Sequence, residues 1–192
     1  MLTTIGFIRH GITEWNKEGR IQGSIDIPLC EEGIQMSKDL SKRLGFKKWH
    51  AIYTSPMRRA KMTATIIASE LQLTHVIEDS RIREIHEGKF EGTTEEERIK
   101  KWGKSWSTLA LGTENEIDVI ARGISFIEAI KKNYPNENVL VITHGSFIKK
   151  MLQRLVPYDE FDEEPENTSI SIVTLKEVNH CSVYNCMKHH KE

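Results

Sequence analysis

The stretch Val139-Leu140-Val141-Ile142-Thr143-His144-Gly145 is an apolar run that leads directly into a histidine and a glycine. A short run rich in β-branched residues predicts a buried strand, and the glycine predicts a turn after it. A second run, Leu2–Ile8, likewise ends in Arg9-His10-Gly11. Because ligands of open α/β sheets bind beyond the carboxyl ends of the strands, the two histidines are expected to meet at one edge.

Further apolar patterns predict helices that alternate with strands. Ala60, Ala64, Ile67, Ala68 and Leu71 recur at helical spacing. Other helices are predicted at 32–44, 117–127 and 146–155, and other strands at 51–54, 76–77, 170–175 and 182–187. This alternation predicts an α/β fold, a three-layer α/β/α sandwich with a mostly parallel central sheet. The absence of repeats and long linkers predicts a single domain spanning 1–192.

The composition is that of an ordinary soluble globular protein. The chain has 192 residues, of which 38% are hydrophobic and 29% charged. A net charge of -1 provides no general attraction to nucleic acid or to an anionic membrane, and no apolar run is long enough to span a bilayer. The three cysteines are odd in number and lack zinc-like spacing. We therefore expect reduced thiols and a cytoplasmic location.

The segment after the first strand carries a specific motif. It reads Arg9-His10-Gly11-Ile12-Thr13-Glu14-Trp15-Asn16 and is followed by Gln22-Gly23. Here the chain resembles the histidine phosphatase superfamily, also called the phosphoglycerate mutase-like family, whose signature is Arg-His-Gly-x-Thr-x-x-Asn. Every fixed position of that signature is matched.

The resemblance extends over the whole chain. Four later segments are similar to family motifs in the same order: Ser55–Ala60 with Thr63-Ala64, Glu84 with Gly88 and Glu91-Gly92, Val141–Gly145, and Asn167–Ile170. One departure is Cys30, where the family usually has Thr or Ser before a helix. Loss of that hydroxyl removes an expected N-cap, worth about 1 kcal/mol of stability.

The resemblance implies that a phosphate is bound by cations and neutral donors. Arg9 and Arg59 can each donate paired N–H groups to phosphate oxygens, and His144 adds a third positive group if it is protonated. Asn16 and the backbone N–H of Gly145 would add neutral donors, and Gln22 and Gly23 are further candidate substrate-binding residues. Such a donor set can stabilise a transferring phosphoryl group without a metal or another cofactor.

The resemblance also implies the catalytic roles. His10 would be the nucleophile that forms a phosphohistidine, which water then hydrolyses. A neighbouring backbone carbonyl, such as that of Gly11, would fix its tautomer, and the nearby cations would lower its pKa. Glu84 would donate a proton to the leaving group, a role that requires a raised pKa. Partial burial would raise this pKa, whereas Arg9 and Arg59 would oppose the shift.

The polar segment at about 93–116 falls where this family varies the lid over its phosphate pocket. It contains Trp102 and Trp106, which are four residues apart on a predicted helix. They are candidates either for packing or for contact with a substrate.

Three functions fit the resemblance. The favoured one is a metal-independent phosphatase acting on small phosphorylated substrates. The second is a cofactor-dependent phosphoglycerate mutase, although such mutases have a longer, more basic insertion between the glutamate and the second histidine, whereas this chain has Glu95-Glu96-Glu97 there. The third is a non-catalytic phosphate-binding protein, against which the intact site residues argue. The oligomeric state is expected to be a monomer or a homodimer.

Overall fold

The computed structural model describes residues 2–45, 47–157 and 159–190. The predicted domain range of 1–192 also includes positions 1, 46, 158, 191 and 192, which lie outside the described residues. The strands are β1 (Thr3–Arg9), β2 (Ala51–Thr54), β3 (Val76–Glu78), β4 (Asn138–Thr143), β5 (Ile170–Leu175) and β6 (His180–Cys186). The helices are α1 (Glu14–Lys17), α2 (Glu31–Leu44), α3 (Arg58–Glu70), α4 (Glu95–Trp102), α5 (Glu116–Asn133) and α6 (Gly145–Leu155).

These strands form one mixed sheet with the order β3-β2-β4-β1-β5-β6. The first four strands in this order are parallel, and β5 and β6 add to the sheet antiparallel. Arg9 at the end of β1 pairs with Thr143 at the end of β4. The two strands that precede the histidines are therefore neighbours that end at the same level.

Alternate side chains of the sheet face two separate cores. Val139 and Val141 pack into a core with residues of α5 and α6, whereas Leu140 and Ile142 pack into a core with residues of α2 and α3. A strand with helices on both faces has no solvent-facing side, which explains the uninterrupted apolar run in the sequence. The predicted three-layer sandwich with a mostly parallel sheet is confirmed.

The loop after β1 packs directly on the start of α2. A Cβ atom on Gly33 would lie 2.1 Å from the carbonyl oxygen of Ile12, so only glycine allows this close approach. Cys30 occupies the N-cap of α2 and makes no side-chain capping hydrogen bond there, as the sequence predicted. The contact fixes the path of the chain immediately after His10.

The segment before α5 differs from the prediction. Helix α4 begins with a capping box between Thr94 and Glu97, but it ends at Gly103, which has φ +83°. Trp106 lies beyond this break, in a short 3₁₀ turn at Trp106–Thr108. The prediction that Trp102 and Trp106 share one helix is therefore wrong, because a glycine with positive φ separates them.

Within the parts of the chain that the structure describes, no helix is both long and apolar enough to cross a membrane.

Candidate active site

The two histidines lie side by side at the carboxyl edge of the sheet. The ring centroids of His10 and His144 are 5.2 Å apart, and the rings are inclined by 61°. The backbone N–H of His10 donates to the carbonyl of Thr143 at 3.0 Å, which continues the β1–β4 pairing by one residue. Both side chains are buried. The strand register therefore produces the convergence that the sequence predicted.

The tautomer of His10 is set by its own loop. Its Nδ1 lies 2.7 Å from the carbonyl oxygen of Gly11, an obligate acceptor, so Nδ1 carries the hydrogen and Nε2 keeps its lone pair. Burial and then the charges of Arg59 and Arg9 hold the pKa of His10 well below its ordinary value, against the opposing effect of the Gly11 hydrogen bond. The ring is therefore neutral and has a free nucleophilic nitrogen at Nε2.

His144 is also neutral. Burial, followed by the charges of Arg59 and His10, lowers the pKa of His144 well below its usual value. Its Nε2 lies 2.8 Å from the hydroxyl of Ser55, which also accepts a hydrogen bond from the N–H of Met57. Ser55 can thus donate to Nε2, which places the ring hydrogen on Nδ1. The sequence analysis counted His144 as a third positive group only if it is protonated, and the lowered pKa favours the neutral ring.

Two arginines provide the positive charge of the site. Arg59 is fully buried, and its terminal nitrogens donate to the carbonyls of Ile25 and Gly23, both at 2.8 Å. Burial lowers the pKa of Arg59 to about 10, so it is still cationic at neutral pH. Arg9 donates to the carbonyl of Pro165 at 2.7 Å and lies 3.8 Å from Glu164. Each guanidinium is held in place by contacts at its terminal nitrogens.

Three buried nitrogens near this edge lack a hydrogen-bond partner among the described residues. They are Nε of Arg9, Nε of Arg59 and Nδ1 of His144. Buried donors without partners are uncommon and call for an explanation, such as a ligand that accepts hydrogen bonds. An anion bound beside the two arginines is one such ligand.

Glu84 has an unusual environment for a carboxyl group. Burial and then the charge of Glu164 raise the pKa of Glu84 to about 7, although the Ile85 N–H, Arg59 and Arg9 oppose the shift. Its Oε1 accepts hydrogen bonds from the N–H groups of Ile85 at 2.9 Å and Phe147 at 3.2 Å. A large fraction of Glu84 is therefore protonated at pH 7, as a proton donor requires.

A cleft of about 420 Å³ joins these groups. Eight of the predicted site residues line it: Arg9, His10, Asn16, Gln22, Gly23, Arg59, Glu84 and Trp106. Asn16 uses its Oδ1 to accept from the N–H and hydroxyl of Thr13, at 3.1 and 3.0 Å, so its amide nitrogen is the end available to a ligand.

Three predicted site residues do not line the cleft. His144 packs against His10, and Gly145 begins α6 beside the guanidinium of Arg9. Trp102 packs edge-on against Phe90, with ring centroids 5.3 Å apart. Trp106 packs on the same ring at 5.2 Å but also reaches the cleft. Of the two tryptophans, only Trp106 therefore lies where it can contact a substrate in the cleft.

Sequence analysis did not predict Glu164 at the mouth of the cleft. Glu87 and Glu164 both line it, and Glu164 also accepts a hydrogen bond from the Ser146 hydroxyl at 2.6 Å. Glu164 lies in an irregular acidic segment that carries no motif, so no local pattern identifies it. Ser55 lies within a recognised motif, but its contact with His144 depends on the neighbouring strand.

No group of three or more His, Cys, Asp or Glu side chains suited to a metal ion occurs within residues 2–45, 47–157 and 159–190.

Comparison with known proteins identifies the family of this chain. Residues 5–185 match the family profile of the histidine phosphatase superfamily, branch 1. The chain belongs to this superfamily. Among solved structures, Bacillus stearothermophilus YhfR superimposes with a TM-score of 0.86 at 32% identity, covering 97% of this chain and 98% of that one.

Two relatives represent different activities within the histidine phosphatase superfamily. The "metal-independent phosphoserine phosphatase" of Arabidopsis thaliana is 31% identical, covering 92% of this chain and 78% of that protein. A "2,3-bisphosphoglycerate-dependent phosphoglycerate mutase" of Hamiltonella defensa is 30% identical, covering 87% and 81%. The family and the phosphatase relatives support phosphatase activity, and the mutase relatives make the details of the site decisive for the reaction.

Proposed function

We propose that this histidine phosphatase is a phosphomonoesterase that acts through a phosphohistidine at Nε2 of His10, with Glu84 as the proton donor. One observation carries the proposal: a neutral histidine, with its Nδ1 hydrogen held by the Gly11 carbonyl, lies beside two arginines that have unpartnered donors. This arrangement combines a nucleophile with a site for an anion.

In the first step, Nε2 of His10 attacks the phosphorus of a bound monoester. The N–P bond forms as the bond from phosphorus to the ester oxygen breaks, and Glu84 gives its proton to that oxygen to release an alcohol. The imidazole becomes positively charged, and its Nδ1–H strengthens the hydrogen bond to the Gly11 carbonyl. Arg9 and Arg59 stabilise the negative charge on the phosphoryl oxygens throughout.

In the second step, water attacks the phosphorus from the side that the alcohol has left. Glu84, now a carboxylate, takes a proton from this water, the N–P bond breaks, and His10 returns to its neutral form. Inorganic phosphate is released, and every group has regained its starting protonation. In this proposal the two arginines supply the positive charge that divalent cations supply in many other phosphoryl-transfer enzymes.

The charge around the mouth of the cleft favours hydrolysis over a mutase reaction. Glu87 and Glu164 line the mouth, and Glu164 raises the pKa of both Glu84 and Glu87 by its negative charge. A mutase must hold phosphoglycerate, whose carboxylate would meet these acids. The nearby Lys149 and Lys150 contact the Asp162 carbonyl and Glu116. Small phosphate esters without a second acidic group fit this mouth better.

The proposal is tested by following the phosphoryl group after treatment of the protein with a chelator. Rapid mixing with a labelled monoester, followed by quenching in base, should trap a labelled protein in which the label is on His10. A chase should then release the label as inorganic phosphate. Activity on nitrophenyl phosphate and phosphoserine, measured in parallel, gives a first view of the range of leaving groups.

Two variants control this experiment. His10→Ala should lose both the label and at least about 10⁴-fold in kcat/KM, since it removes the nucleophile, whereas His75→Ala changes an exposed histidine and should retain both. Transfer of most of the label to 3-phosphoglycerate in preference to water would show a mutase. Tight binding of phosphate with no label on His10 would show a binding protein.

A further inference from the structure

Arg122 contacts the loop that carries Glu84 from the outside of the cleft. It lies on α5, and its side chain is only 10% exposed. One terminal nitrogen donates to the carbonyls of Arg81 at 2.7 Å and Arg83 at 2.9 Å, and the other lies 3.4 Å from the carbonyl of Glu84 itself. A single guanidinium therefore holds the backbone on the N-terminal side of the proposed proton donor.

Glu114 completes this contact on the other side of Glu84. Its carboxylate accepts two hydrogen bonds from Arg122, at 2.9 and 3.1 Å, and one from Arg83 at 2.7 Å. Its backbone N–H also donates to the carbonyl of His86 at 2.7 Å, and its Oε2 lies 3.3 Å from the N–H of His86. The ion pair thus holds both flanks of Glu84, at Arg83 and at His86.

The contacts of Glu114 stabilise its ionised form. Burial alone would raise the pKa of Glu114, but the hydrogen bond and charge of Arg122, together with His86 and Arg83, bring the pKa below its usual value. The guanidinium of Arg122 also lies 5.0 Å from the ring of Phe147, whose backbone N–H binds the Glu84 carboxylate. Arg122 is therefore linked to the backbone of Glu84 directly and to its carboxylate through Phe147, without lining the cleft.

We propose that Arg122 and Glu114 are positioning residues for the proton transfer by Glu84. Glu84 lies in irregular backbone between two short 3₁₀ turns, at Ser80–Ile82 and Gly88–Phe90, so no regular element holds it. A proton donor must remain within hydrogen-bond reach of the leaving oxygen, and a displacement of about 1 Å can reduce the rate by about 100-fold. The proposal rests on the proposed function and adds the means by which its acid is held.

The test compares an alkyl phosphate with nitrophenyl phosphate, both in the otherwise unchanged protein and in the Glu84→Gln variant. An alkyl phosphate requires a proton on its leaving oxygen, whereas nitrophenyl phosphate leaves readily without one. Loss of Arg122 in Arg122→Met should lower kcat/KM for the alkyl phosphate by about 10- to 100-fold and for nitrophenyl phosphate by less than about 3-fold. In the Glu84→Gln background, the same change should lower the alkyl activity by less than about 3-fold, because residues that act as a unit are not additive.

Arg81→Met is the matched control. Arg81 also bridges the start of this loop to α5, through the Ser125 carbonyl at 3.0 Å, and pairs with Asp79. Within the described part of the chain, its side chain has no hydrogen bond or ion pair with residues 83–86. The Arg81→Met change should leave the ratio of kcat/KM between the alkyl phosphate and nitrophenyl phosphate unchanged. Arg122→Lys keeps the positive charge and can still donate a hydrogen bond, so it should retain part of the activity on the alkyl phosphate. It also provides a second variant to measure if Arg122→Met does not fold.

Two results would overturn the positioning role. One is an equal loss on both substrates in Arg122→Met or Arg122→Lys, and the other is a loss in the Glu84→Gln background as large as in the parent. These are distinct from a failure of the proposed function, which would appear in Glu84→Gln alone as equal losses on both leaving groups.

Discussion

The two sides of the cleft are built in different ways. The phosphate side consists of His10, His144 and Arg59, all buried, which follow or flank strands of the sheet. The leaving-group side consists of Glu84, Glu87, Trp106 and Glu164, which lie in loops and 3₁₀ turns and are partly exposed. In the proposed mechanism, buried positions at strand ends and at the start of α3 hold the part of the chemistry that every monoester shares, whereas loops hold the part that differs between substrates. Changes on the first side should therefore affect all substrates, and changes on the second should depend on the leaving group.

The largest effect is expected at Arg59. Arg59→Met removes a buried charge that contacts the phosphate in the proposed mechanism, so kcat/KM should fall by about 10²- to 10³-fold on alkyl and aryl phosphates alike. Inhibition by inorganic phosphate should weaken in parallel. Arg58→Met is the control, because Arg58 is the adjacent exposed arginine and should change neither value. If the loss of kcat/KM in Arg59→Met depended strongly on the leaving group, the division between the two sides of the cleft would be contradicted.

An intermediate, substrate-dependent effect is expected at Glu84. Its pKa of about 7 means that the proton donor is lost as the pH rises through 7, so kcat/KM for an alkyl phosphate should fall by about tenfold per pH unit above it. His10, with its lowered pKa, is neutral across this range. Glu84→Gln should lower the alkyl activity by about 100-fold and nitrophenyl activity by less than about 5-fold.

The pH profile of Glu84→Gln provides the control. The second ionisation of the substrate, near pH 6, affects the pH profiles of the parent protein and of the variant alike. A decline in kcat/KM near pH 7 is therefore assigned to Glu84 only if the variant lacks it. Persistence of that decline in Glu84→Gln would assign it to another group.

The smallest effect is expected for the tryptophans. Trp106 lines the cleft, and an aromatic contact is worth about 0.5–1.5 kcal/mol, so Trp106→Ala should raise KM for nitrophenyl phosphate by about 3- to 10-fold. Trp102→Ala should change KM less than about twofold and instead lower the free energy of unfolding by about 1–2 kcal/mol, through loss of its packing on Phe90. Kinetics and thermal unfolding of both variants measure this difference. Equal effects on KM would place both rings on the substrate.

Local patterns were sufficient for most of the fold. The run at 139–143 and the periodicity of α3 predict a buried strand and an amphipathic helix because the environment of each face repeats along the chain. The same local information failed at Trp102 and Trp106, where a four-residue spacing predicts one helix and Gly103 ends it. The spacing of two residues in the sequence does not reveal a break in the helix between them.

The sequence by itself determined the family, the layered α/β architecture and the identity of the residues proposed for the chemistry, because these are recorded in strand patterns and ordered motifs. Only the tertiary structure decided the protonation states of these residues and the contacts that hold them in place. Neutral His144, the raised pKa of Glu84, and the contacts of Glu164, Arg122 and Glu114 all depend on burial and on charges that are distant in the chain. Desolvation and Coulomb interactions act through space, so their outcome is settled only when the chain has folded.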